Sequence, residues 1–169
     1  MYLRSGRLSA LLAAGVLSAV AVGAQPRPAE TPEWVEIEVP APPAFDTGKL
    51  IEIDVDPGSG LRYGIDPSTL QIGSDGVVRY VMVASSKTGA MTAMYEGLRC
   101  GTADYKLYAR YNAGQWAPVA TPEWKSLWDS ARIKHPLAFA RQGGCDNRAP
   151  PVSVREMVRR LKSPGAYAP

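Results

Sequence analysis

The residues with the most recognition chemistry lie between Tyr95 and Trp116. Tyr95, Glu96, Arg99, Tyr105, Lys106, Tyr108, Arg110, Tyr111 and Trp116 fall within that short stretch. Tyr, Trp and Arg combine large contact area with directional hydrogen bonds, which is why they dominate binding hot spots. Placed on two adjacent strands, Tyr95, Arg99, Tyr105, Tyr108, Arg110, Tyr111 and Trp116 form a candidate binding face. The competing reading is a core aromatic cluster, because a sheet buries one side in any case. Acidic residues alternate elsewhere: Glu36, Glu38, Glu52, Asp54 and Asp56. Paired carboxylates hydrolyse glycosides when held about 5–10 Å apart, a distance that spacing in sequence does not supply. Solvated strand faces show the same alternation.

Other candidates are weaker. His135 is the single histidine and precedes Pro136. A general base must sit within reach of a nucleophile, and no G-x-S-x-G or S-x-x-K motif accompanies it. It reads as a surface or helix-end histidine. Asp54-Val55-Asp56-Pro57-Gly58 resembles the start of a calcium loop, but the position that should carry the bidentate glutamate is Ile65. A proline turn fits better. One histidine and two cysteines leave little for a metal centre. No catalytic residue, metal ligand or cofactor is assigned. Arg155, Arg159, Arg160 and Lys162 suit either anionic headgroups or the solvated C-terminal end of a helix.

Compartment decides how the cysteines are read. Residues 1–7 carry Arg4 and Arg7 without an acid, Leu8–Val22 is apolar or small, and Val22-Gly23-Ala24 supplies small residues before Gln25-Pro26. This is a secretory leader, residues 1–24, with cleavage expected after Ala24. The protein is therefore expected to leave the cytosol for an oxidising compartment. Of its 169 residues, 145 then remain, one domain's worth. The full chain carries +3. With Arg4 and Arg7 removed, 17 basic residues face 16 acidic ones. That balance excludes a strongly basic nucleic-acid binder. No later stretch is long and apolar enough to span a membrane. In an oxidising compartment Cys100 and Cys145 read as a disulfide, since no C-x-x-C redox motif is present.

Residues 25–46 hold six prolines, Pro26, Pro28, Pro32, Pro40, Pro42 and Pro43. They predict an extended arm. Within it Trp34–Val39 alternates at period two, with Val35, Ile37 and Val39 on one face and the glutamates on the other. An edge strand or a segment docked along a sheet fits this. Residues 47–162 read as one domain and 163–169 as a flexible tail. Leu50–Val55 and Leu61–Ile65 alternate as strands. Asp75-Gly76 marks a hairpin turn, and Val77–Ala84 is apolar on both faces, as a central strand should be. Met91–Cys100 and Tyr105–Tyr111 follow, then Asn112-Ala113-Gly114 turns the chain.

Beyond Val119 the pattern changes to helical. Thr121 and Pro122 suit a helix start, with Trp124, Leu127, Trp128 and Ala131 on one face. Leu137–Gln142 predicts a short helix ending at Gly143-Gly144. Ser153-Val154-Arg155-Glu156 is a capping box for a helix with Val154, Met157, Val158 and Leu161 on its apolar side. Strands first and helices second predict an α+β fold. It is an antiparallel sheet of about five to seven strands followed by two or three helices on one face or edge.

The ordered string Tyr63-Gly64-Ile65-Asp66-Pro67-Ser68-Thr69-Leu70, Asp75-Gly76-Val77-Val78-Arg79-Tyr80, Tyr95-Glu96-Gly97-Leu98-Arg99-Cys100, Tyr105-Lys106-Leu107-Tyr108, Trp116 and Pro122-Glu123-Trp124 resembles the CNP1-like family. That family comprises exported proteins of Gram-negative proteobacteria. The resemblance spans roughly residues 48–145 and implies an envelope location, with no activity to carry over. The resulting expectation is a non-catalytic periplasmic binding or interaction module with an envelope protein or a glycan as partner. The alternatives are an envelope hydrolase using paired carboxylates, and a structural or assembly factor near the outer membrane.

Overall fold

The computed structural model describes residues 33–55, 58, 60–129 and 133–163. The leader, Pro26, Pro28, Pro32, Asp56, Ala131 and most of the tail lie outside them. Eight strands form one antiparallel sheet among the described residues: β1 (Ile51–Ile53), β2 (Leu61–Ile65), β3 (Gln71–Ile72), β4 (Val77–Ser86), β5 (Met91–Arg99), β6 (Asp104–Asn112), β7 (Gln115–Pro118) and β8 (Trp124–Ser126). Two helices follow, α1 (His135–Phe139) and α2 (Val154–Lys162). The class is α+β as expected, with more strands than the sequence predicts.

The sheet runs β1-β2-β4-β5-β6-β7. Two of the three long strands, β4 and β6, each divide one edge between two short partners. β4 pairs with β3 at Val78–Arg79 and with β2 at Met82–Ser86. β6 pairs with β8 at Asp104–Lys106 and with β7 at Ala109–Asn112. Central β4 is buried from Val77 to Ala84, as its two-sided apolar pattern requires. The Asp75-Gly76 hairpin joins β3 to β4, with Gly76 at φ +76, where glycine carries no Cβ penalty.

Side chains alternate across β4 to build two cores. One holds Val78, Tyr80 and Met82 with Met94, Leu98, Phe139, Met157 and Leu161 from β5 and the helical segment. The other holds Val81, Val83, Ala93, Tyr95, Tyr108 and Ala109, with Val39, Phe45 and Leu50 packed on it. We refer to these as the helix face and the arm face. Tyr108 and Ala109 are sequence neighbours yet both join the arm-face core. A register shift explains this: Tyr95 pairs with Ala109 and Glu96 with Leu107, leaving Tyr108 as the extra residue of a bulge.

The helix expected from Thr121 is not formed. Trp124–Ser126 is strand β8, in register with Lys106–Asp104. The expected stripe is dispersed: Leu127 enters the core, whereas Trp128 stands 65% exposed. Pairing with a free edge of β6 outweighs local helical spacing here. The later helices form as predicted. α1 continues into a wide turn, Ala140–Gly144. Ser153 caps α2 by accepting from the Glu156 N–H. The Glu156 side chain does not close the capping box. It pairs instead with Arg159 and Arg160, and Arg160 also reaches Asp146.

Cys100 and Cys145 form a disulfide, fastening the end of β5 to the segment between the helices. Among the described residues, no helix is long and apolar enough to cross a membrane.

Candidate functional site

The arm does not keep its apolar residues on one side: Val39 packs on the arm-face core, but Val35 and Ile37 do not. Residues 33–46 form no strand, and Val35 and Ile37 turn outward, 75% and 40% exposed. Glu36 turns inward, its side chain 15% exposed. Three side chains of the arm face meet it. Lys106 Nζ lies 2.6 Å from Oε2, and the Tyr108 hydroxyl donates to Oε1 at 2.5 Å. Arg79 Nη2 lies 3.5 Å from Oε1. Burial pushes the Glu36 carboxyl pKa up, but the hydrogen bonds from Lys106 and Tyr108 outweigh it and hold the carboxyl below its ordinary value.

Arg79 is the charged residue inside the otherwise apolar strand β4, its side chain 2% exposed. A buried cation needs a partner. Asp75 supplies it from the hairpin, taking both terminal nitrogens of Arg79 at 3.1 and 2.7 Å. The same carboxylate accepts the N–H of Val77 and, across the groove, that of Ile37. Burial raises the Asp75 pKa, yet Arg79 and these N–H groups bring it below the usual range. So Asp75 is both turn residue and counter-ion. Gly97 completes the slot. A Cβ there would lie 2.3 Å from the Tyr108 hydroxyl oxygen, so only glycine lets the phenol lie across β5 to reach Glu36.

An aromatic stack closes the end of the slot. The Arg99 guanidinium carbon lies 3.5 Å from the Trp34 ring centroid and 5.3 Å from that of Trp124. Trp34 also donates from Nε1 to the Asp75 carbonyl at 2.8 Å. Such cation–π contacts are worth about 0.5–2 kcal/mol each.

Farther along the arm face lies an open depression of about 600 Å³, lined by Pro42, Ala44, Phe45, Asp46, Thr47, Met91, Tyr111 and Trp116. Phe45, Tyr111 and Trp116 meet edge to face, with centroids 5.1–5.9 Å apart. Asp46 and Thr47 place polar groups at its border.

The expected binding face is therefore divided. Tyr111 and Trp116 line the depression, Tyr108 and Arg99 belong to the arm slot, and Tyr95 is buried beneath them. Tyr105 packs into the core of the opposite face. Arg110 is exposed, opposite Met94 in the register. Glu36 leaves the proposed acidic patch to join Lys106 and Arg79, and the backbone of Asp54 pairs with the Gln142 carboxamide. Sequence reasoning places Asp75 in a turn and Trp34 in the arm but does not bring Trp34, Asp75 or Arg79 together as a site.

His135 is not at the surface. It is buried at the first position of α1, with Nε2 2.9 Å from Glu96 Oε1 and Tyr63 stacked at 5.1 Å. Glu96 Oε2 and the Tyr80 hydroxyl have no hydrogen-bond partner among the described residues. Burial first, and then the charge of Glu96, raise the pKa values of Tyr63, Tyr80 and Tyr105. This cluster ties the first turn of α1 to β5 inside the core. Among the described residues, no group of three or more His, Cys, Asp or Glu is placed to hold a metal ion.

No curated protein and no solved structure matches the chain significantly. A family model does, over residues 29–162, a span that takes in the arm, the slot, the depression and both helices. The chain belongs to the CNP1-like family.

Proposed function

We propose that this is an exported binding module of the Gram-negative envelope, taking an envelope protein or glycan into the aromatic depression of the arm face. The carrying observation is that depression: partly exposed Phe45, Tyr111 and Trp116 at the floor, with Asp46 and Thr47 at the border. Its volume of about 600 Å³ suits a small ligand or a short segment of a larger one. The leader pattern and the disulfide support an oxidising compartment. The hydrolase reading is less well supported. Glu36 and Asp75 converge on Arg79, but both have lowered carboxyl pKa values. A general acid of a glycosidase needs a raised one.

A photo-crosslinking residue in place of Met91, exposed at the border, tests the reading in intact cells. It is expected to capture a discrete envelope component, with yield falling about tenfold or more when Trp116→Ala is added, the effect of losing an aromatic hot spot. The same residue at Val152, 91% exposed and outside the depression, serves as the control. Equal capture at both positions, or capture indifferent to Trp116, would count against the depression.

A further inference from the structure

The arm is held the way a bound peptide is held. Its backbone joins no strand, and Val35 and Ile37 face solvent. Val39 and Phe45 pack on the core farther along, but residues 34–37 are held by the Trp34 indole, the Glu36 carboxylate and the Ile37 N–H. Residues i and i+2 of an extended chain point the same way, so Trp34 and Glu36 reach into the groove together. The groove itself is complementary to that pair. With Glu36 withdrawn, Lys106 would lose its carboxylate, the Tyr108 hydroxyl its acceptor and Arg79 its second anion beside Asp75, while Arg99 stays over the ring of Trp124. Arg79 keeps Asp75 as its counter-ion, but the largely desolvated Lys106 beside that pair favours an anion in the place of Glu36.

We propose that this groove is a receptor for an extended segment of a partner protein carrying an aromatic residue followed two positions later by a carboxylate, and that Trp34-Val35-Glu36 fills it in cis. The partner's segment enters when the arm lifts. A tethered occupant acts at millimolar effective concentration, so free peptide competes poorly with the intact arm and well with a weakened one. Only residues 34–37 need lift, whereas the depression is lined by Pro42 and residues 44–47 with Met91, Tyr111 and Trp116, so either proposal can fail without the other.

The test uses the full chain with Trp34→Ala and Glu36→Gln together. The probe is a fluorescent, end-blocked peptide of residues 33–40. The variant is expected to bind it at least about tenfold more tightly than the unaltered chain does. A peptide with Gln at the Glu36 position is expected to bind the variant at least about tenfold more weakly. Absence of binding, or equal binding of both peptides, overturns the proposal. Should the variant fail to fold, amide exchange at Ile37 in the unaltered chain decides. Millimolar peptide is expected to accelerate it, and unchanged exchange overturns the proposal. A concentration-dependent dimer of the unaltered chain without peptide would assign the groove to a second copy, and would also overturn it.

Discussion

Replacing Arg79 with Met is expected to destabilise the protein by about 3–5 kcal/mol, the cost of stranding one partner of a buried ion pair. The Arg79 side chain is 2% exposed and that of Asp75 is fully buried. Methionine roughly fills the vacated volume, so the cavity contribution is small and the loss reports on charge. Asp75 would keep only the N–H groups of Val77 and Ile37. Adding Asp75→Asn should recover part of the loss, because the stranded charge is gone. Urea denaturation of the three variants gives the comparison. A loss under about 1 kcal/mol, the scale of exposed pairs, would show that water reaches the slot.

Removing the disulfide by Cys100→Ser with Cys145→Ser is expected to cost about 4 kcal/mol in the chain-entropy model, in which the bridge closes a long loop of the unfolded chain. The sequence separation is 45 residues. The bridge also joins structures of different kinds. Cys100 directly follows β5, while Cys145 follows α1 and its wide turn, whose Phe139 and Ala140 enter the helix-face core. Denaturation of the double variant beside the oxidised parent measures the effect. Coincident midpoints would mean that helix-face packing alone fixes the segment.

The parts legible in the sequence are those set by local rules. Val77–Ala84 had to be central because both faces are apolar. The Asp75-Gly76 turn and the Ser153 cap were fixed by backbone chemistry, and the cysteine pair is read from the absence of a C-x-x-C spacing together with an expected export. The losses came where distant partners decide. Trp124 and Leu127 suit a helix stripe, yet the open edge of β6 drew Trp124–Ser126 into the sheet. Alternation in Trp34–Val39 defines two faces but not which one turns inward. Val39 follows the apolar-inward habit, but Val35 and Ile37 do not, because Arg79 and Lys106 on the arm face draw the Glu36 carboxylate in between them. One signal was available: an arginine inside an apolar central strand must find a buried anion, and Asp75 stands four residues before it. The bulge that turns Tyr108 toward Glu36 has no local signature.

The central claim is that Glu36 is latched into a desolvated slot on the sheet. A double-mutant cycle with Glu36→Gln and Lys106→Met tests it most directly. Their charged groups are 2.6 Å apart with side chains 15% and 14% exposed. The predicted coupling is on the order of 1–3 kcal/mol. Effects that add to within about 0.5 kcal/mol, as independent sites do, would contradict the account.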